Sequence, residues 1–191
     1  MNDSIMFEVV ERSVIAGGIG SEMNYADGYK AIVRPDTGDV LGIHSDKYKL
    51  VTNEEAFTKL EDALLVSGLD TNGMFVKDTI DQKGARCVRE YRLPEHRIDI
   101  GNDDYVDLML RGVNSYDGSQ RFGYMFGGYR LVCSNGLVIG KTIASFGKKH
   151  TQMLDVDQMV AQLQQSVNEY SDSEPMWRKW ARTSITVSYT H

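Results

Sequence analysis

The chain has 191 residues, of which 41% are hydrophobic and 25% are charged, and this ordinary globular composition excludes global disorder. No run approaches the ~20 apolar residues of a membrane-spanning helix, and the N-terminus lacks the basic start and apolar stretch of a signal peptide. Cys87 and Cys133 lie far apart without a CxxC spacing, which argues against a disulfide framework or a zinc knuckle. We therefore expect a cytoplasmic protein without a membrane partner.

Charge is distributed unevenly along the chain. The net charge is -6 overall, but it is -9 over residues 1–117, +5 over residues 118–154 and -2 over residues 155–191. The middle segment, here called the basic segment, contains no acidic residue and these basic ones: Arg121, Arg130, Lys141, Lys148 and Lys149. A local basic surface is enough to bind nucleic acid, even on an acidic protein. The alternative is a buried strand pair whose few charges point to solvent.

The first half of the chain predicts a β-β-β-α unit. Three strand-like segments are separated by turn residues: 29–34, 40–44 and 48–51. A helix is then expected from Thr52 or Asn53, either of which can cap it, to a stop at Gly68. Its apolar residues have helical spacing and predict the buried face: Phe57, Leu60, Ala63 and Leu64.

The second half predicts further strands and a second helix. The strand-like segments are 73–80, 85–93, 104–113 and a long β-rich stretch over 120–140. Residues 81–84 are typical of a hairpin turn, and Gly127-Gly128 indicates a bulge, a bend or a close backbone approach. A helix is expected over 155–170, with this apolar stripe: Val156, Met159, Val160, Leu163, Val167 and Tyr170.

Together these elements predict an α+β fold, with a bent antiparallel sheet, a β-β-β-α unit and two main helices packed on one side. We expect one domain over residues 1–170 and a short C-terminal appendage or tail over 171–191. A break at Ser171–Pro175 should precede a short helical piece that contains Trp177 and Trp180. That piece is too small to bury two tryptophans, so we expect a homo-oligomer.

Aromatic residues alternate along the basic segment. Arg121 to Arg130 spell RFGYMFGGYR, with rings on one predicted strand face at Phe122, Tyr124 and Phe126. Single-strand binders combine aromatic stacking platforms with a basic groove, so Tyr124 and Tyr129 are candidate stacking residues beside the five basic ones. The alternative is that the three alternating rings fill the core under a helix.

No pattern indicates catalysis, a metal or a cofactor. The glycine-rich segment 16–21 lacks the Lys-Ser/Thr pair of a phosphate-binding loop, and the histidines have no metal-ligand spacing. Cys133 lies in an apolar run, where a buried small residue is expected rather than a nucleophile. Asp103, Asp104 and Asp107 are expected in a solvated loop and strand start. We predict no catalytic residue, no metal site and no cofactor.

Three segments in order along the chain resemble one family. They are VLGIHSDKYKLVTNEEAF over 40–57, NSYDGS over 114–119 and YRLVCSNGL over 129–137. The chain is similar, over roughly residues 30–165, to the phage/plasmid-like family with the domain of unknown function numbered 932. It departs at Tyr116, where the family more often has His, so a catalytic histidine is not expected there.

The resemblance implies a phage, prophage or plasmid setting and no particular reaction. The β-β-β-α unit is similar to the folding unit of the Rad-type single-strand annealing superfamily, whose phage members often form rings or filaments on single-stranded DNA. We therefore expect a non-enzymatic protein that binds single-stranded nucleic acid in recombination or replication. One alternative is an acidic interaction protein that inhibits a host defence complex. Another is a metal- or nucleotide-dependent enzyme.

Overall fold

The fold is built from eight strands and two helices in the part of the chain that the computed structural model describes, residues 4–18, 20, 22–101, 104–131, 138–151 and 155–181. One antiparallel sheet has the order β1-β2-β3, formed by Val10–Ala16, Asn24–Arg34 and Asp39–Ser45. Helix α1, Asn53–Leu65, follows. The second antiparallel sheet has the order β4-β5-β6-β7-β8, formed by Phe75–Asp81, Arg86–Gly101, Asp104–Ser115, Phe122–Leu131 and Val138–Lys148. Helix α2 spans Val156–Ala181. The predicted α+β class is confirmed.

The β-β-β-α unit exists, but its strands differ from those predicted. Its first strand is β1, which the sequence did not indicate because most of its side chains are exposed and show no apolar alternation. Residues 48–51, predicted as a strand, belong to no strand. Tyr48 and Val51 are nevertheless buried, which explains why this segment resembles a short strand.

Both helices pack against the five-stranded sheet and contact each other. Phe57 and Leu60 of α1 lie over Gly112 of β6, where a Cβ would come within 2.6 Å of the Leu60 side chain. The absence of a side chain at Gly112 therefore lets α1 approach the sheet. The predicted apolar stripes of both helices are confirmed as core, because nearly all their residues are buried.

Helix α2 is longer than predicted. It continues through the expected break and includes Pro175 in its interior. Proline cannot donate the helical hydrogen bond to the residue four positions earlier, and this usually ends or kinks a helix. The side chains of Trp177 and Trp180 lie outside the described residues, so self-association remains a prediction. Neither described helix is long and apolar enough to cross a membrane.

The aromatic residues of β7 are part of the core. Phe122, Tyr124 and Phe126 are all buried, as the packing alternative predicted. The pairing of β7 with β8 shifts register between Phe126 and Gly127, which confirms the irregularity predicted at Gly127-Gly128. Of the glycine-rich segment 16–21, Ala16 ends β1, and Gly17, Gly18 and Gly20 lie between β1 and β2.

Candidate functional site

The end of β6 and the turn after it are held by buried polar side chains. The Asn114 Nδ2 atom donates to the Val51 carbonyl at 3.0 Å and to Asn53 Oδ1 at 2.9 Å. The Asn53 backbone N–H donates to the Tyr116 hydroxyl at 2.8 Å. Buried polar groups require such partners, so these bonds tie the turn firmly to the start of α1. Tyr116 thus anchors this junction through its hydroxyl.

Asp117 closes the turn. Its carboxylate accepts hydrogen bonds from Ser115 Oγ at 2.5 Å and from the Ser119 backbone N–H at 2.8 Å, and Arg86 Nε lies 3.3 Å away. Burial by itself would raise the pKa of Asp117, but the bonds from Ser115 and Ser119 and the Arg86 guanidinium outweigh it and lower the pKa to about 2. The charged carboxylate therefore stabilises the turn that presents Gly118 to Arg121.

This arrangement predicts an acid-dependent loss of stability. The depressed pKa of Asp117 means that its contribution is complete above about pH 4 and is lost as the pH falls towards 2. Asp117→Asn should lower the free energy of unfolding at pH 7 by about 2 kcal/mol. Urea unfolding of both proteins from pH 7 to pH 2 should show the difference narrowing below pH 4. The matched control is Asp27→Asn, at an exposed position on β2; a pH-independent difference for Asp117→Asn would contradict the prediction.

Three aromatic rings stack beside this turn. The rings of His44 and Tyr48 have centroids 4.0 Å apart at an angle of 8°, and those of Tyr48 and His150 are 4.9 Å apart at 11°. His44 Nε2 donates to the Tyr116 carbonyl at 2.7 Å, and the Tyr48 hydroxyl donates to the Ser115 carbonyl at 3.2 Å. Gly42 has no side chain, and a Cβ there would collide with the Tyr116 carbonyl oxygen. The stack therefore joins the end of β3 to the turn after β6.

His150 forms the buried end of this stack. Its Nδ1–H donates to the Lys49 carbonyl at 3.2 Å, while its Nε2 atom is buried without a hydrogen-bond partner in the described part of the chain. Burial lowers the pKa of His150; the Lys49 carbonyl opposes this shift, and the nearby His44 adds to it. His150 is therefore a neutral, packed ring rather than a source of positive charge.

A basic cleft lies where these segments meet. It has a volume of about 450 Å³. We call it the basic cleft, and its lining residues are His44, Ser45, Lys47, Tyr48, Gly118, Ser119, Gln120, Arg121, Lys149, His150 and Thr151. Three of these are lysine or arginine, and none is aspartate or glutamate. Within the described ranges, Lys47, Arg121 and Lys149 form no ion pair with a carboxylate. The cleft therefore has positive charge and hydroxyl groups available to an anion.

Elsewhere, basic side chains are largely neutralised by carboxylates. Those in ion pairs are Lys30, Arg34, Lys59, Lys83, Arg86, Arg89, Arg92, Arg97 and Arg111. In one of these pairs, Arg97 Nε lies 2.6 Å from Asp107 Oδ1. Among the described residues, no group of three or more His, Cys, Asp or Glu side chains is placed to hold a metal ion.

The structure brings together two of the predicted nucleic-acid-binding residues, Arg121 and Lys149. The neighbouring Lys148 is directed to α2, where its Nζ atom donates to Gln158 Oε1 at 2.8 Å. Arg130 and Lys141 lie on β7 and β8, and their side chains are outside the described residues, as is the whole of Cys133.

The two residues predicted to stack on bases, Tyr124 and Tyr129, lie in different environments. Tyr124 is only 3% exposed and stacks on Phe146, so a nucleic-acid base cannot reach its ring. The ring fills the core under α2, and the prediction that Tyr124 stacks on a base therefore does not fit the structure. Tyr129 is half-buried, and its hydroxyl lies 3.2 Å from Thr142 Oγ1. It does not line the basic cleft.

Sequence reasoning missed His44, Lys47, Tyr48 and His150. Lys47 lies in the acidic part of the chain, where the segment charge conceals a single lysine. The family motifs could have indicated this site. The motif over 40–57 contains His44, Lys47 and Tyr48, and the motif over 114–119 contains Gly118 and Ser119. The two motifs, about 70 residues apart in the sequence, meet at the cleft.

Comparison with known proteins agrees with that resemblance. The family model described as "Domain of unknown function (DUF932)" matches residues 40–190, which is more than half of the chain. Comparison with curated proteins and with solved structures gives no match. The match covers both motifs at the cleft and the basic segment.

Proposed function

We propose that this chain, which belongs to the DUF932 family, binds single-stranded nucleic acid through the basic cleft. The observation that carries the proposal is that Lys47, Arg121 and Lys149 come from three separate segments and line one cleft without a carboxylate. Phosphate contacts supply most of the affinity of non-specific nucleic-acid binding. Unpaired cations are available for such contacts, whereas ion-paired ones must first give up their partners.

The stacked rings favour recognition of phosphate over recognition of bases. Both faces of the Tyr48 ring are covered, by His44 on one side and His150 on the other. A base cannot insert there without separating rings that lie 4.0 and 4.9 Å apart. The hydroxyl groups of Ser45 and Thr151 can donate to phosphate oxygens from the lining. Binding of this kind depends little on base sequence.

The biological setting belongs to the proposal as well. We place the protein in the cytoplasm of a host cell, encoded by a phage or plasmid, where it binds single strands during recombination or replication as a non-enzymatic annealing protein. The acidic remainder of the chain opposes tight binding to a polyanion. We expect micromolar affinity per protomer and a homo-oligomer that raises the affinity by avidity.

A salt titration tests the proposal. The protein is titrated into an internally labelled 20-mer oligodeoxythymidine, and fluorescence polarisation is measured at several salt concentrations. Each phosphate neutralised on a single strand contributes about 0.7 to the slope of log affinity against log salt, so three cations predict a slope near -2. Absence of binding at low salt would contradict the proposal. The acidic surface would then make a host-protein partner the better account.

A further inference from the structure

We infer that the basic cleft recognises a terminal phosphate, the phosphomonoester at the end of a single strand, rather than the internal phosphodiesters. This inference rests on the proposed function and specifies which part of the nucleic acid the cleft binds. It follows from the size of the cleft, from its charge, and from the ion pairs of two basic residues beside it.

The cleft has room for little more than one nucleotide. Its volume of about 450 Å³ lies near the lower end of the range for small-ligand clefts, roughly 300–1,000 Å³. Its cations are gathered from three segments of the chain, one each at Lys47, Arg121 and Lys149, rather than spaced along one strand or helix. Such convergence suits one highly charged group better than a row of singly charged ones.

The charge of the cleft matches a monoester. An internal phosphodiester has a single negative charge, whereas a phosphomonoester carries about -1.5 to -2 at pH 7 and offers three acceptor oxygens. Together with the first phosphodiester of the strand, the ligand brings nearly three negative charges to three cations. Hydrogen bonds between charged partners are about twice as strong as neutral ones, so each additional charge contributes to affinity.

On two sides of the cleft, the described basic residue that adjoins it is paired with a carboxylate. Lys30 is the cross-strand partner of His44, but its Nζ atom lies 2.7 Å from the Glu11 carboxylate. Arg86 is paired with Asp117, next to the cleft residue Gly118. On a third side, Lys148 keeps its charge but is directed to α2, where its Nζ atom donates to Gln158 Oε1. A strand that passed through the cleft would meet ion-paired side chains at Lys30 and Arg86 and a lysine held by α2, whereas a strand that ends in the cleft needs no such track.

Oligonucleotide ends provide the test. Affinity is measured by polarisation for internally labelled 20-mer oligodeoxythymidines with a 5′-phosphate, with a 3′-phosphate or with hydroxyls at both ends. We expect one phosphorylated end to bind at least tenfold more tightly than the unphosphorylated strand, and an unlabelled circular single strand to compete no better than the latter. Thymidine 5′-monophosphate should compete at least tenfold more weakly than the phosphorylated strand, because it lacks the following phosphodiester.

Two variants test whether the preference for a phosphorylated end depends on the cleft. Arg121→Gln should abolish the preference for the phosphorylated end, whereas Lys148→Gln, a neighbouring cation outside the cleft, should retain it. Equal affinity for all three strands would overturn the inference and leave the proposed function standing, while no binding of any strand would overturn both. A monophosphate that competes as well as the phosphorylated strand would show that the ligand is a free nucleotide, and would overturn the assignment to strand ends.

Discussion

Phe57→Ala should lower the free energy of unfolding by about 3–5 kcal/mol. The ring is fully buried between α1 and the five-stranded sheet, against Gly112 of β6, and Arg89 lies over it with the guanidinium carbon 5.9 Å from the ring centroid. The Tyr91 hydroxyl also donates to the Phe57 carbonyl at 3.0 Å, so the backbone at this position is held in place and cannot easily collapse into the cavity. A truncated side chain there leaves most of its volume empty.

The matched control lies on the same helix. Leu65 is 55% exposed, so Leu65→Ala removes little buried surface and should cost less than about 1 kcal/mol. Urea unfolding of the two variants and the parent protein measures the difference directly. A loss below about 1 kcal/mol for Phe57→Ala would mean that this face of α1 does not pack on the sheet.

Lys149→Glu should weaken the binding of single-stranded oligonucleotides at least tenfold at about 0.15 M salt. The substitution removes one of three cations from the basic cleft and introduces a negative charge beside Arg121. Removal of one phosphate contact should also flatten the slope of log affinity against log salt by about 0.7, equally for every base sequence. Polarisation titrations with several oligonucleotides of different composition would measure both effects.

Lys148→Glu is the control that the structure supplies. It changes the same charge one residue away, but Lys148 is bonded to Gln158 of α2 and lies 5.5 Å from the centroid of the Phe146 ring. At about 0.15 M salt, where charges are screened beyond about 8 Å, its affinity should stay within threefold of the parent protein. Equal losses from the two substitutions would show that general charge, rather than the cleft, determines binding.

Local pattern was sufficient to predict much of the fold. The helical spacing of Phe57, Leu60 and Leu64 identified the buried face of α1, and the same holds for α2 from Val156 to Tyr170. The hairpin around residues 81–84 was likewise predicted from its turn residues. The apolar pattern did not predict β1, because most side chains of this strand are exposed. The rule that proline ends a helix failed at Pro175, which lies inside α2.

The candidate site was only partly predictable. Net charge by segment located Arg121 and Lys149, because a stretch without acidic residues is visible in the sequence itself. The segment charge could not show that Lys149 lines the cleft while the side chain of Lys148 bonds to α2. Nor could it decide whether Tyr124 faces a ligand or the core, since a strand shows the same alternation on either face.

The sequence by itself determined the α+β class, the helix faces, the basic segment and the family motifs. The tertiary structure alone decided which charges meet. Lys47 joins Arg121 and Lys149 because buried hydrogen bonds of Asn114 and Tyr116 hold the turn after β6 against the chain that enters α1. Such contacts join residues more than 60 positions apart, and local propensity, which depends on neighbours along the chain, carries no information about them.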